Sequence, residues 1–300
     1  MKLLRLTTLL ALSAASTALA GTAPAPAPKN PVAPVEPAPS ALFDSIGATL
    51  DAGYDSRYYY RGLWFADNIV WSSLNLSVPL TEKLSLGLGA TYISTVQTPF
   101  GNPKNSSGFD YSEIDALASL NYNAGWAKFG VQYLHYFYPD TYSGSFPPGG
   151  ANGGTDPEFG IKGAGEVGFT VAVPLGAANL YGGYYYDFRV GGSYFQLGAD
   201  YTWAVNDWLS IVPAVQTGYG IDYYTGNGSA LTNNVGLPLA NAPRSGFTHL
   251  LASISAPMKL TKIATFTPYV AWNHSFDTRS ALNFTTHNEV FWGAKLSLAF

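Results

Sequence analysis

Residues Val290–Phe300 read VFWGAKLSLAF. Every second residue is apolar: Val290, Trp292, Ala294, Leu296, Leu298 and Phe300. Between them stand Phe291, Gly293, Lys295, Ser297 and Ala299, a mixed set that carries a charge. A period of two marks a β-strand, whose side chains point alternately to opposite faces. Here the two faces suit two different solvents.

The alternation recurs from Ser45 onward. Ile46, Ala48, Leu50, Ala52 and Tyr54 form the first such face, and Leu74, Leu76, Val78 and Leu80 the second. Further faces begin at Leu84, Ile114, Ala127, Val167, Leu180, Phe195, Leu209, Leu250 and Phe266. With the closing stretch, twelve strands are predicted. Their connections alternate in character. One set is tight, at Thr81–Lys83, Asn123–Gly125, Gly176-Ala177, Asn206-Asp207 and Thr261–Ala264. The other is mostly long and rich in Gly, Asn, Ser and Pro, near 95–110, 139–163, 221–245 and 277–287, with short members near 63–68 and 190–193. Val78-Pro79-Leu80, Val173-Pro174-Leu175 and Ala256-Pro257-Met258 each close a strand before a tight turn, where a residue without an N–H belongs.

Composition agrees. Charged residues are 11%, against roughly 25% in ordinary soluble domains. Aromatics are 15%, with 21 Tyr, and 32 residues are Gly. After the N-terminus no apolar run is long enough for a transmembrane helix. Few charges, many Tyr and two-sided strands predict an all-β protein, a transmembrane antiparallel up-and-down barrel of about twelve strands. In lipid every backbone donor and acceptor needs an internal partner, so the last strand must pair with the first. Trp71, Tyr92, Tyr122, Trp126, Trp203 and Trp208 fit girdles at the two interfaces, where a ring can be apolar on one side and wet on the other.

Three segments are expected. Residues 1–20 read as a signal peptide, with Lys2 and Arg5, an apolar stretch and Ala18-Leu19-Ala20 before Gly21. Residues 21–44, opening GTAPAPAPKNPVAPVEPAPSA, read as a Pro/Ala-rich periplasmic linker in polyproline II conformation. Residues 45–300 form the barrel. The expected location is the outer membrane, with its lipid as one partner. The alternating stretch ending in Phe300 resembles the C-terminal signal by which the barrel-assembly machinery recognises outer-membrane proteins.

Parity sends the second face of each strand into the lumen. The candidate pore-lining residues are Asp55, Arg57, Arg61, Glu113, Asp115, Asp187, Arg189, Asp200, Glu289 and Lys295, with Asp51, Lys128, Gln132, Glu166 and Gln196 on the same face. Arg or Lys at the lipid midplane costs about 2–4 kcal/mol, whereas a wet or paired interior tolerates charge. Two readings stand. The charges pair and fill the lumen, leaving a structural or adhesive barrel with ligand-binding outer loops, or they line a porin-like passage for small solutes.

Tyr54-Asp55-Ser56-Arg57-Tyr58-Tyr59-Tyr60-Arg61-Gly62 is the most distinctive local run. Ser56, Tyr58, Tyr60, Arg61 and Gly62 resemble the first-strand pattern of the TorF-type porin family (Gcw_chp), which implies an outer-membrane barrel and brings no substrate and no catalytic residue. Arg57 and Arg61 are expected near the outer mouth, tied to carboxylates such as Asp187 or Glu113 or touching solute.

Other classes find little support. No catalytic residue, metal site or cofactor is predicted. His135 and His274 fall on the apolar parity near outer strand ends, and Asn273-His274-Ser275 hints at a wall hydrolase by composition alone. Cysteine is absent and the net charge is −4. An acidic chain without a basic cluster argues against a nucleic-acid partner.

Overall fold

The computed structural model describes residues 46–96, 112–137, 164–188, 191–223, 245–276 and 288–300. The signal peptide, the linker, Arg189 and most of the long connections lie outside the described residues. Fourteen strand segments are present: β1 Gly47–Tyr60, β2 Leu63–Pro79, β3 Leu84–Thr95, β4 Ser112–Asn123, β5 Lys128–Phe137, β6 Ala164–Leu175, β7 Ala178–Asp187, β8 Gly192–Tyr201, β9 Trp203–Ala204, β10 Ser210–Ile221, β11 Ser245–Ser255, β12 Met258–Lys259, β13 Ala264–Ser275 and β14 Glu289–Ala299. Each pairs antiparallel with its neighbours, β14 pairs with β1, and the wall closes. β9 and β12 are two-residue continuations of β8 and β11, so fourteen segments make twelve staves, as the periodicity predicts.

The two interruptions have a local cause. Pro213 in β10 has no partner on the side where β8 breaks into β9, and Pro257 and Pro268 both fall at the gap between β11 and β12, where the Ala256 N–H donates to the Pro268 carbonyl at 2.9 Å. A proline cannot donate to the ladder, so pairing lapses beside it. Four of the five tight turns share another device. The side-chain oxygens of Thr81, Asn123, Asn206 and Thr261 accept backbone N–H groups two or three residues ahead, at 2.9–3.2 Å.

Burial is inverted relative to a water-soluble protein. Leu197 is 64% exposed, whereas Glu166 is 0% and Asp55 is 1% exposed. Exposed apolar residues such as Leu74, Leu120, Val131, Phe169 and Ile254 cover the outer wall. This is the partition a lipid-facing surface requires. Trp126, Trp203, Trp208, Tyr92 and Tyr122 are exposed as a girdle should be, but Trp71 is buried. Its position, two residues before Ser73, sends it into the lumen, where its indole N–H donates to Asp55 at 3.0 Å.

The first outer connection also departs from expectation. It is no loop at 63–68 but a two-residue turn, Arg61-Gly62, with both residues at positive φ, 51° and 84°. That is the requirement of the hairpin turn whose twist matches its strands. Beyond this point the wall opens. β14 stops pairing with β1 at Asp55–Gly293, and β3 stops pairing with β2 at Ile69–Thr95. Arg57–Tyr60 ladder only to Leu63–Asp67. A bulge falls between Tyr58 and Tyr59, and Asn68 takes a positive φ at the point of departure. Tyr58 and Tyr59, successive residues that would point to opposite faces, are both buried. The tip of the first hairpin therefore leaves the wall and folds into the barrel mouth.

Candidate functional site

The lumen has two halves. Near the tight turns its surface is small and polar: Ser77, Gly87, Ser119, Asn121, Gly130, Thr170 and Gly183. Apart from the buried Gly130 these residues are only half-buried, as are Lys128 and Gln132. Asn75 and Asn121 donate to Ser73 and Ser119, each at 3.0 Å, holding the polar groups flat against the wall. Asp200 accepts from Asn179 at 3.3 Å and stays on this wetter side.

Midway, Asp55 is held between two staves. Trp71 and Tyr269 donate to its two oxygens at 3.0 and 2.6 Å. Lys295 faces Gly53, flanked by Asp51 and Asp55, and all three charges are buried. Gly293 leaves no room here for a Cβ, which would overlap Asp55, Tyr269 and the Tyr54 carbonyl.

Toward the long loops the lumen is packed around the hairpin tip. Arg61 donates through both terminal nitrogens to Glu166 on β6, at 2.6 and 2.7 Å. It also donates to the Tyr223 hydroxyl. Its guanidinium carbon lies 4.4–5.2 Å from the ring centres of Tyr60, Tyr185, Tyr194 and Tyr223. Such a fork-to-carboxylate pair inside aromatic faces satisfies a buried cation as few other arrangements can. Burial works against the Arg61 charge, yet Glu166 and the phenols hold its pKa above the ordinary value. Burial likewise raises the Tyr223 phenol well above its usual range.

The rest of the tip is tied around the ring. Tyr58 donates to Glu113 on β4 at 3.3 Å, and Tyr60 shares a hydrogen bond with Tyr136 on β5 at 2.5 Å. Ser275 on β13 donates to the Gly62 carbonyl at 2.8 Å, and His249 on β11 lies against Gly62 so closely that a Cβ there would overlap it. Arg57 pairs with Glu289, and with Asp67 at 3.8 Å. Tyr59 donates to Glu289 at 2.8 Å. The tip thus contacts β4, β5, β6, β11, β13 and β14.

Among the described candidates Asp55, Arg61, Glu113, Asp115, Asp187, Asp200 and Lys295 are buried inside, Asp200 nearer the tight turns, and Arg57 and Glu289 sit partly exposed at the mouth. The arginines were expected to reach carboxylates such as Asp187 or Glu113; Arg61 pairs with Glu166, and Arg57 with Glu289 and Asp67. Asp187 is the ladder neighbour of Glu166, one stave further round. The aromatic cage is absent from the candidate set. Parity places Tyr136, Tyr185 and Tyr194 on the inner face, but inward aromatics resemble girdle residues by composition. Parity cannot place Tyr58 and Tyr60, because the tip has left the ladder.

Among the described residues, His135 and His274 pack with aromatic rings. His135 bonds Tyr133 at 3.0 Å, and His274 lies between the rings of Trp272 and Phe276. Asn273 and Ser275 point to the opposite face from His274 and bond each other at 3.1 Å.

No protein-family model matches the chain. No curated protein matches it in sequence. Solved structures do match in shape. The "KdgM porin in complex with disordered oligogalacturonate" aligns at 8% identity and a TM-score of 0.45, over 84% of this chain and 99% of that one. An outer membrane channel from Pseudomonas putida F1 aligns at 11% identity and 0.45, over 85% and 94%. LpxR from Salmonella typhimurium aligns at 10% identity and 0.45, over 84% and 99%. At such identities the likeness says nothing of what passes or binds.

Proposed function

We propose that the chain is a bacterial outer-membrane barrel that passes small solutes through its lumen in the manner of a porin. One observation carries this reading: a half-exposed polar inner wall enclosed by an outer wall of exposed apolar residues. A lumen meant only to be filled has no need of half-exposed serine and asparagine over its lower half, where larger apolar side chains would pack it. The run Ser56–Gly62 and its resemblance to the TorF-type family fit the same reading. The passage needs no catalytic group, and the acidic excess among the inner charges favours cations.

A second reading, a structural barrel with a filled lumen, draws on the packed hairpin tip at the other end. Conductance separates the two. The purified protein in a planar lipid bilayer is expected to give small, discrete current steps in potassium chloride. A sealed membrane across salts and voltages, from the folded wild type and from folded variants that loosen the hairpin tip alike, would overturn the channel reading.

A further inference from the structure

The hairpin tip has the properties of a barrier rather than of wall. It is unzipped from both neighbouring staves, at Asp55–Gly293 and at Ile69–Thr95, although β14 runs on to Glu289 beside β13. Its fork from Arg61 to Glu166 joins the first stave to the sixth of twelve, nearly a diameter of the ring, and the same guanidinium lies over Tyr185 on the seventh. Tyr60 to Tyr136 spans four staves and Tyr58 to Glu113 spans three. Contacts between adjacent staves would stiffen the wall. Contacts across it occupy the space a solute must use.

The tip is also held at a conformational cost. Arg61 is a non-glycine residue in the left-handed region, where a branched or long side chain is uncommon. The turn gains nothing from arginine that Asn or Gly would not supply more readily. What arginine adds is the fork to Glu166 and the stacking on tyrosine. Behind the tip stand Glu113, Asp115, Glu166 and Asp187, all buried.

We propose that the in-folded tip, Tyr58–Gly62, is the barrier of this channel, latched across the lumen by Arg61 and Glu166, and that the mouth behind it favours cations once the latch is undone. The proposal rests on the channel reading above. It assigns specificity to the acidic residues behind the tip and closure to the latch.

The test uses the full chain in planar bilayers, with heat-modifiable gel mobility reporting that each variant is a folded barrel. The Arg61→Ala/Glu166→Ala double variant removes both partners, so no lone charge stays buried. It is expected to show several-fold larger steps than the wild type, with a reversal potential in a salt gradient shifted toward cations. Arg61→Lys keeps the charge but loses the fork; brief openings above the wild-type level are expected, and it serves if the double variant fails to fold. Conducting wild type with both variants identical to it overturns the barrier proposal and leaves the channel reading intact. Silence from wild type and both variants overturns both. Larger steps that favour anions overturn the acidic-mouth assignment. A silent wild type with conducting variants supports the barrier and makes closed the resting state.

Discussion

The two halves of the lumen are built from the same strands by opposite rules. Near the tight turns the inner wall is Gly, Ser, Asn and Thr, bonded along the wall and half open to solvent. Near the long loops it is tyrosine and paired charge, bonded across the ring and closed to solvent. The difference shows where each half places its stability. In the lower half, backbone ladders and lipid-facing packing suffice. In the upper half, side chains within the lumen hold a piece of chain that has left the ladder.

The largest effect should come from splitting the latch. Arg61→Ala alone leaves Glu166 buried without its partner, a change that costs roughly 3–5 kcal/mol. Urea unfolding of the barrel in lipid vesicles should show it, and an unchanged midpoint would erase the contrast between the halves. A smaller effect is expected from crowding the cage. The Tyr194 ring lies directly over Gly218, where any Cβ would overlap it. Gly218→Val should cost about 1–3 kcal/mol by the same measurement, as overpacking does. The smallest belongs to the lower half. Lys128→Gln, at a half-buried site, should leave stability within about 0.5 kcal/mol. It should instead shift the reversal potential modestly toward cations, and a large loss of stability there would show that the lower half is packed as tightly as the upper.

Legibility in the sequence follows the same division. In the lower half the period of two is unbroken, and it places Lys128, Gln132 and Asp200 on their observed faces, while Trp126 and Trp208 are legible from their places directly after tight turns. Strand number, closure and tight turns are equally plain, because backbone pairing in lipid allows few alternatives. Parity failed at the tip for a definite reason. It presumes an uninterrupted ladder, and a bulge at Tyr58/Tyr59 with a positive φ at Asn68 removes that premise. Arg61-Gly62 is not a familiar turn pair, since the left-handed region is more often taken by Asn, Asp or Gly. Trp71 was readable from its own parity but concealed by its chemistry, an indole being equally at home at an interface. Glu166 was assigned to the inner face, yet nothing in one dimension tells which of several carboxylates a distant arginine will reach.

The turn at Arg61 bears on the order in which the barrel can mature. Its left-handed backbone is offset by partners on β5, β6, β7, β8, the segment after β10 and β13, all synthesised later in the chain. A nascent first hairpin, taken alone, lacks every one of them and should hold that bend poorly. Docking of the tip is therefore a late event, and the docked arginine reports that the sixth stave has arrived in register.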